Sequence, residues 1–440
     1  MFLFANVPNI RTNNGTNLNA WNIKNAYLYI PNVSNHQSNN YSMKLRTLLL
    51  TASIAVLSWS PANAGKHWVA TWATAEQVVE PHNCPPAPGL ENNSIRQIVQ
   101  TSISGKVVRV KFSNEFSQGP VTINAAEIAK AATAGASSDI IAGTEVSLTF
   151  NGSKSVTIQP GELVTSDPVK FPMGTRQNVA ITMHLGQASS TSVTGHPGSR
   201  TDSYLIEGQG SDFTNAVKTA HWYIINAIEI KAEKKARAVV VLGNSITDGR
   251  GSTTNEQNRW TDNLSRRLLA NKKTSRVSVL NMGLGGNCIL NGGLGPTGKS
   301  RYPRDLFQQE GVKYIILFEG VNDLGGYGDA ISKANQIQEV YKQIIAEAHE
   351  RGIKVYGAPV MQFKGNNYYN QNHEAGRQQL NQWIRTSGFF DGVIDFDAAM
   401  GNPDDPAQLN PKYLFENDYL HPNAEGYVQM GNCIDLSLFE

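Results

Sequence analysis

The chain has 440 residues, 40% of them hydrophobic and 17% charged, with a formal net charge of +2. That size suits about two to three globular domains with ample core. The near-neutral balance leaves no electrostatic case for nucleic acid or an anionic membrane as partner. Cys84, Cys288 and Cys433 are too few and too scattered for a disulfide framework or a zinc knuckle. At most one pair can form among them, and Cys288 reads as a plain buried thiol.

Met1 to Ser42 is rich in Asn and has no apolar periodicity, so residues 1–42 read as disordered or as an extension upstream of a natural start at Met43. Lys44 and Arg46 then give a positive segment, and Leu48 to Trp59 an apolar one too short to span a bilayer well. Ala62-Asn63-Ala64 is a small-x-small cleavage site. Residues 43–64 therefore read as a signal peptide, and the mature chain is expected to be secreted or periplasmic, with no integral membrane segment.

Residues 65–232 are expected to form a β-sandwich or jelly-roll accessory domain. Ile95 to Ser104 and Val107 to Phe112 read as strands, with Gly105-Lys106 as a hairpin turn between them. Val146 to Phe150, Ser155 to Ile158, Asn178 to Leu185 and Trp222 to Ile230 follow, separated by Gly, Pro, Ser and Asn. Trp68, Trp72 and Trp222 are candidates for a sugar-binding surface, although core packing is the better reading for any one of them.

Lys231 to Arg237 reads as a charged link. From Ala236 strands and helices alternate, so residues 236–440 are expected to form a three-layer parallel sheet of flavodoxin type. Its strands are Val239 to Leu242, Arg276 to Met282, Lys313 to Phe318, Lys354 to Met361 and Val393 to Phe396. Helices are expected at Arg259 to Asn271, Ala330 to Arg351, Glu374 to Thr386 and Ala424 to Phe439. Three polar turns follow the first three strands: Gly243-Asn244-Ser245, Asn281 to Asn287, and Gly320 to Asp323. A fourth, Asp418 to Asn423, precedes the closing helix. Open α/β sheets bind ligands at this carboxyl edge.

These turns supply the parts of an acyl-transfer site. A serine hydroxyl is inert until a base takes its proton, so Ser245 as nucleophile needs His421. Asp418 would hold the imidazole tautomer and stabilise the imidazolium. The Ser245 and Gly286 amides and the Asn322 side chain are candidate donors to an oxyanion. Singly, each residue also reads as a helix cap or a tight loop. Four such turns in this order are what favour catalysis.

The blocks GNSITDG, NMGLGGN, GVND and DYLHPN resemble, in order, those of the SGNH, or GDSL-type, serine esterase family. The resemblance covers about Ala236 to Glu440. It implies Ser245 as nucleophile, Gly286 and Asn322 as oxyanion donors, and His421 with Asp418 completing the triad. One departure is Asn244, where the family usually has Asp; hydrogen bonding around Ser245 is expected to differ, and activity to survive. WVATWATA and VRVKFSNEF are similar to the β-domain of a secreted two-domain branch, some of whose members are associated with xylan breakdown.

The expected function is an exported serine esterase acting on carboxylic esters, with acetylated plant polysaccharide as first substrate and a lipid or aryl ester as the alternative. A non-catalytic carbohydrate-binding protein is the non-enzyme alternative. No cofactor or metal is expected: H-E-x-x-H and C-x-x-C are missing. The serine lies in G-x-S-x-T, which disfavours the α/β-hydrolase elbow. Gly293 to Ser300 (GLGPTGKS) fits a phosphate-loop pattern. It lacks the strand directly before it that such a loop needs.

Overall fold

The computed structural model describes residues 66–440. The expected signal peptide at 43–64 and the Asn-rich stretch 1–42 lie outside the described residues.

Alternating apolar positions build two large antiparallel sheets from the first part of the described chain, beside a small one of Gln77–Val78, Thr194–His196 and Trp222–Tyr223. In one, Lys66–Ala73 pairs with Ile225–Glu233, which pairs with Gly105–Ser113. Leu163–Thr165 and Val169–Met173 complete its far edge. In the other, Val217–Thr219, Ser203–Ile206, Ser94–Gln100, Asn178–Leu185 and Val121–Lys130 lie side by side. Val146–Leu148 and Val156–Ile158 share its last edge.

The expected hairpin at Gly105-Lys106 does not form. Ser94–Gln100 and Gly105–Ser113 belong to different sheets, and residues 101–104 carry the chain between them. Gly105 lies inside its strand, where a Cβ would stand 2.6 Å from Ile230 Cγ2. The glycine marks close packing against the neighbouring strand rather than a turn. The segment read as one strand from Trp222 to Ile230 is also broken, at Ile224, whose φ is 69°. The charged stretch before Arg237 is mostly strand. Strand Ile225–Glu233 runs through its first half, and only residues 234–236 separate it from the next strand, Arg237–Gly243.

From there the chain builds a parallel sheet in the order Val277–Gly283, Arg237–Gly243, Val312–Phe318, Lys354–Gly357, Gly392–Val393. This is the 2-1-3-4-5 order of doubly wound flavodoxin-type sheets. The first of these strands in the chain, Arg237–Gly243, is an inner strand buried from Ala238 to Gly243, as an unbroken apolar run requires when helices cover both faces. Trp260–Ala270, Ala330–Glu350 and Gln371–Thr386 are the long helices. Asp329 caps the second by accepting from the amides of Ile331 and Ser332. The outer strands are shorter than their apolar runs, and the closing helix, Ala424–Cys433, gives way to a 3-10 turn at Leu436–Phe439.

The described residues form one unit, with a main core that runs through both parts and a small separate cluster around Ile98, Tyr204 and Phe213. Lys66–Ala73 is the bridge: the Ala70 amide donates to Glu310 O at 2.9 Å, and Thr74 pairs with Asn281 beside the parallel sheet. Trp72 and Trp222 are buried against each other, ring centroids 5.1 Å apart, so both pack in the core. All three cysteines are free, and burial pushes the Cys288 thiol up to about 12.

Candidate active site

Strand Arg237–Gly243 ends in a sharp elbow. Asn244 leaves the strand in extended conformation and caps the short helix Ser245–Asp248 by accepting from the Ile246 amide at 3.1 Å. Ser245 is thus the first helical residue. The elbow is tight on both sides: a Cβ on Gly243 would stand 2.3 Å from Thr247 Oγ1, and one on Gly283 2.3 Å from the Asp248 amide nitrogen. Asn244 Nδ2 donates to Glu319 Oε2 at 2.9 Å. Glu319 is wholly buried, and that burial pushes its carboxyl up to about 8, against the nearby Arg301 charge. An amide at position 244 satisfies that carboxyl without adding a second charge, which accounts for the altered hydrogen bonding expected from the sequence.

Ser245 Oγ lies 2.7 Å from His421 Nε2, and His421 Nδ1 lies 2.7 Å from Asp418 Oδ2. Asp418 Oδ1 also accepts from the amides of Leu420 at 2.9 Å and His421 at 2.8 Å. Burial pushes the Asp418 carboxyl up, but these hydrogen bonds outweigh it and hold the group below its ordinary value. An ionised carboxylate only accepts, so the ring proton sits on Nδ1 and Nε2 is free to accept from the serine. Ser245 and His421 are each 7% exposed, so both are reachable yet largely shielded. Glu416, Asn417 and Tyr419 flank Asp418 with φ values of 49°, 55° and 56°, a run of left-handed residues that aims this turn.

Gly286 sits in the loop after Val277–Gly283 with φ 67°, which favours glycine. Its amide makes no hydrogen bond among the described residues, while its carbonyl accepts from the Leu294 amide. Asn322 lies in the short helix Val321–Gly325. The Tyr368 hydroxyl donates to Asn322 Oδ1 at 2.9 Å, and Asn322 Nδ2 donates to Asn287 O at 2.7 Å. The amide is therefore held one way round, with one N–H left over. Ser245, Gly286, Asn322 and His421 line one cavity of about 380 Å³. A hydroxyl on an imidazole, an imidazole on a carboxylate, and free N–H groups alongside are the parts that acyl transfer uses.

Sequence reasoning missed four supports. Tyr368 orients Asn322. Asp323 accepts from the Ile289 and Leu290 amides at 2.8 and 3.0 Å and so fixes the Gly286 loop. Arg301 is buried and donates to Gly243 O, Met282 O, Asn287 Oδ1 and Asp305 Oδ2, tying two strand ends to that loop. His196 Nε2 meets Asp248 Oδ1 at 2.9 Å across the two parts of the fold. Arg301 follows directly on the phosphate-loop look-alike, whose Gly298 opens helix Gly298–Phe307 with no strand directly before it. Only the Asp after Asn322 was visible as part of a motif.

Residues 241–429 match the GDSL-like Lipase/Acylhydrolase family. No curated protein matches the chain. Among solved structures, a GDSL-like lipase from Bacteroides thetaiotaomicron is similar at 20% identity, over 47% of this chain and 90% of its own, with a TM-score of 0.35. A putative lipolytic protein of the G-D-S-L family from Desulfitobacterium hafniense is similar at 20% identity, over 44% and 96%, with a TM-score of 0.34. An acetylxylan esterase from Geobacillus stearothermophilus is similar at 17% identity, over 45% and 91%, with a TM-score of 0.34. Residues 241–429 are a GDSL-like lipase/acylhydrolase domain, and the chain that carries it is a carboxylic ester hydrolase.

Proposed function

We propose that the protein is an exported serine esterase that works through an acyl-enzyme, with Ser245, His421 and Asp418 as its catalytic triad. The observation that carries this reading is the unbroken Ser245–His421–Asp418 hydrogen-bond chain, each link 2.7 Å. Ser245 Oγ attacks the ester carbonyl while His421 Nε2 takes its proton. Asp418 keeps Nδ1 protonated and stabilises the imidazolium. The Ser245 and Gly286 amides and the spare Asn322 N–H receive the oxyanion. His421 gives its proton to the departing alcohol, then takes one from water as the water oxygen attacks the acyl carbon, and returns that proton to Ser245 Oγ as the acid leaves.

Export rests on the sequence pattern at 43–64. The two antiparallel sheets are taken as a β-sandwich accessory domain over 65–232, with the catalytic domain at 236–440. Acetylated plant polysaccharide is the first substrate, and lipid or aryl esters are the alternative. Ser245→Ala is expected to abolish turnover of p-nitrophenyl acetate and labelling by a fluorophosphonate. Full activity in that variant would remove Ser245 as nucleophile. A panel of acyl-chain lengths separates the substrate classes, two carbons over eight favouring deacetylation.

A further inference from the structure

The cavity at Ser245 has two unlike walls. One comes from the hydrolase domain. The other comes wholly from the β-rich region and presents Gln77, Glu80, Asn83, Arg200 and His221 around Pro197 and Gly198. Apart from the proline, that second wall offers no hydrocarbon side chain. Apolar lining is limited to Leu294, Tyr368 and Leu420, all on the hydrolase side. A long acyl chain gains about 0.8 kcal/mol for each methylene it buries, and little here could supply that.

The polar wall is held in place before any ligand arrives. Gln77 Nε2 and Asn83 Nδ2 donate to the two oxygens of Glu80 at 2.7 and 2.9 Å, leaving each oxygen further acceptor capacity. His221 Nδ1 donates to Pro197 O at 2.6 Å, and burial holds its ring below the ordinary value, so Nε2 is left as an acceptor. Arg200 takes a left-handed backbone, φ 50°, and its buried Nε has no partner among the described residues. Its Nη2 stands 3.8 Å from Asp248 Oδ2, itself buried and without a hydrogen bond among the described residues. The guanidinium thus stands beside Asp248, next to the elbow that carries Ser245.

Donors and acceptors alternate on this wall. An apolar alcohol would desolvate the partly exposed Arg200 guanidinium and the Glu80 carboxylate without repayment. Hydroxyl groups both donate and accept, and adjacent ones satisfy such a wall. We propose that the β-rich region supplies the alcohol subsite of the esterase, in which Glu80, Arg200 and His221 bind the hydroxyls of a sugar-like alcohol whose short acyl group is delivered to Ser245. The proposal rests on the esterase reading above and adds the recognition of the leaving alcohol.

The test compares two acetates that differ only in the alcohol, p-nitrophenyl acetate and the monoacetate of methyl β-D-xylopyranoside, using the full chain. In Glu80→Ala and Arg200→Ala, kcat/KM for the glycoside is expected to fall about ten- to a hundredfold further than for the aryl ester. Should Arg200→Ala lose its fold by thermal melting, Arg200→Lys, which keeps the charge without the planar fork, carries the same comparison. Equal losses on both esters, or none on either, overturn the subsite while Ser245-dependent hydrolysis still stands. Hydrolysis that survives Ser245→Ala overturns the esterase reading instead, and the subsite with it.

Discussion

Tyr368 illustrates how one hydroxyl settles the orientation of another residue. It donates to Asn322 Oδ1, so the amide of Asn322 faces the Gly286 loop with its nitrogen. Without that bond the amide can flip and present an oxygen to the developing oxyanion. Losing a neutral hydrogen bond costs about 1 kcal/mol, so Tyr368→Phe is expected to lower kcat about fivefold with little change in KM. A change confined to KM would place Tyr368 in substrate binding instead. Glu319 and Glu76 set the pH dependence of stability. Burial pushes both carboxyls up to about 8. Both lie above the ordinary glutamate range, so their contribution is complete at pH values below that range and is lost as pH rises through about 8. The melting temperature is therefore expected to fall as pH rises from about 5 to about 8 and to level off above that. Glu319→Gln should remove part of that slope, and Glu319→Gln with Glu76→Gln the rest. An undiminished slope in the double variant would contradict this.

The elbow at Ser245 and the Gly286 loop are short elements, and buried polar partners hold their shape. Arg301 is the clearest case, since its guanidinium joins Gly243 O, Met282 O and Asn287 Oδ1 while Asp305 neutralises it at 2.8 Å. Removing one partner of a buried ion pair costs about 3–5 kcal/mol, because the other is left uncompensated. Arg301→Ala is expected to lower the unfolding free energy measured in urea by about that amount and to reduce turnover as well. A loss under about 1 kcal/mol would mean that the loop holds itself. The Gly243 and Gly283 contacts belong to the same logic, since neither strand end could approach the elbow with a side chain in the way.

The two parts of the molecule share their core and their cavity. Besides the Ala70 and His196 contacts, the Ser102 and Ser265 hydroxyls meet at 3.0 Å, and Arg109 Nη2 donates to Glu310 Oε1 at 2.9 Å. With no linker between strands Ile225–Glu233 and Arg237–Gly243, neither part can open without disturbing the other. Calorimetry is therefore expected to give one cooperative unfolding transition for the described region. Two separated transitions would show that the β-rich region folds as an independent body.

The sequence by itself determined the parallel sheet and which polar turns lie at its carboxyl edge. Buried apolar runs and helical periods are local patterns, and right-handed crossovers leave few ways to join them. It also named Ser245, His421 and Asp418, because each stands in a compact block. The pairing of the N-terminal strands was not legible. Gly105 reads locally as a turn, and only the approach of Ile230 explains it as a strand residue. The same limit hid Tyr368, Arg301 and the wall of Glu80, Arg200 and His221. These side chains act on partners many residues away, and such contacts leave no periodic trace in the chain. Tertiary structure alone decided which surface of the β-rich region would face Ser245.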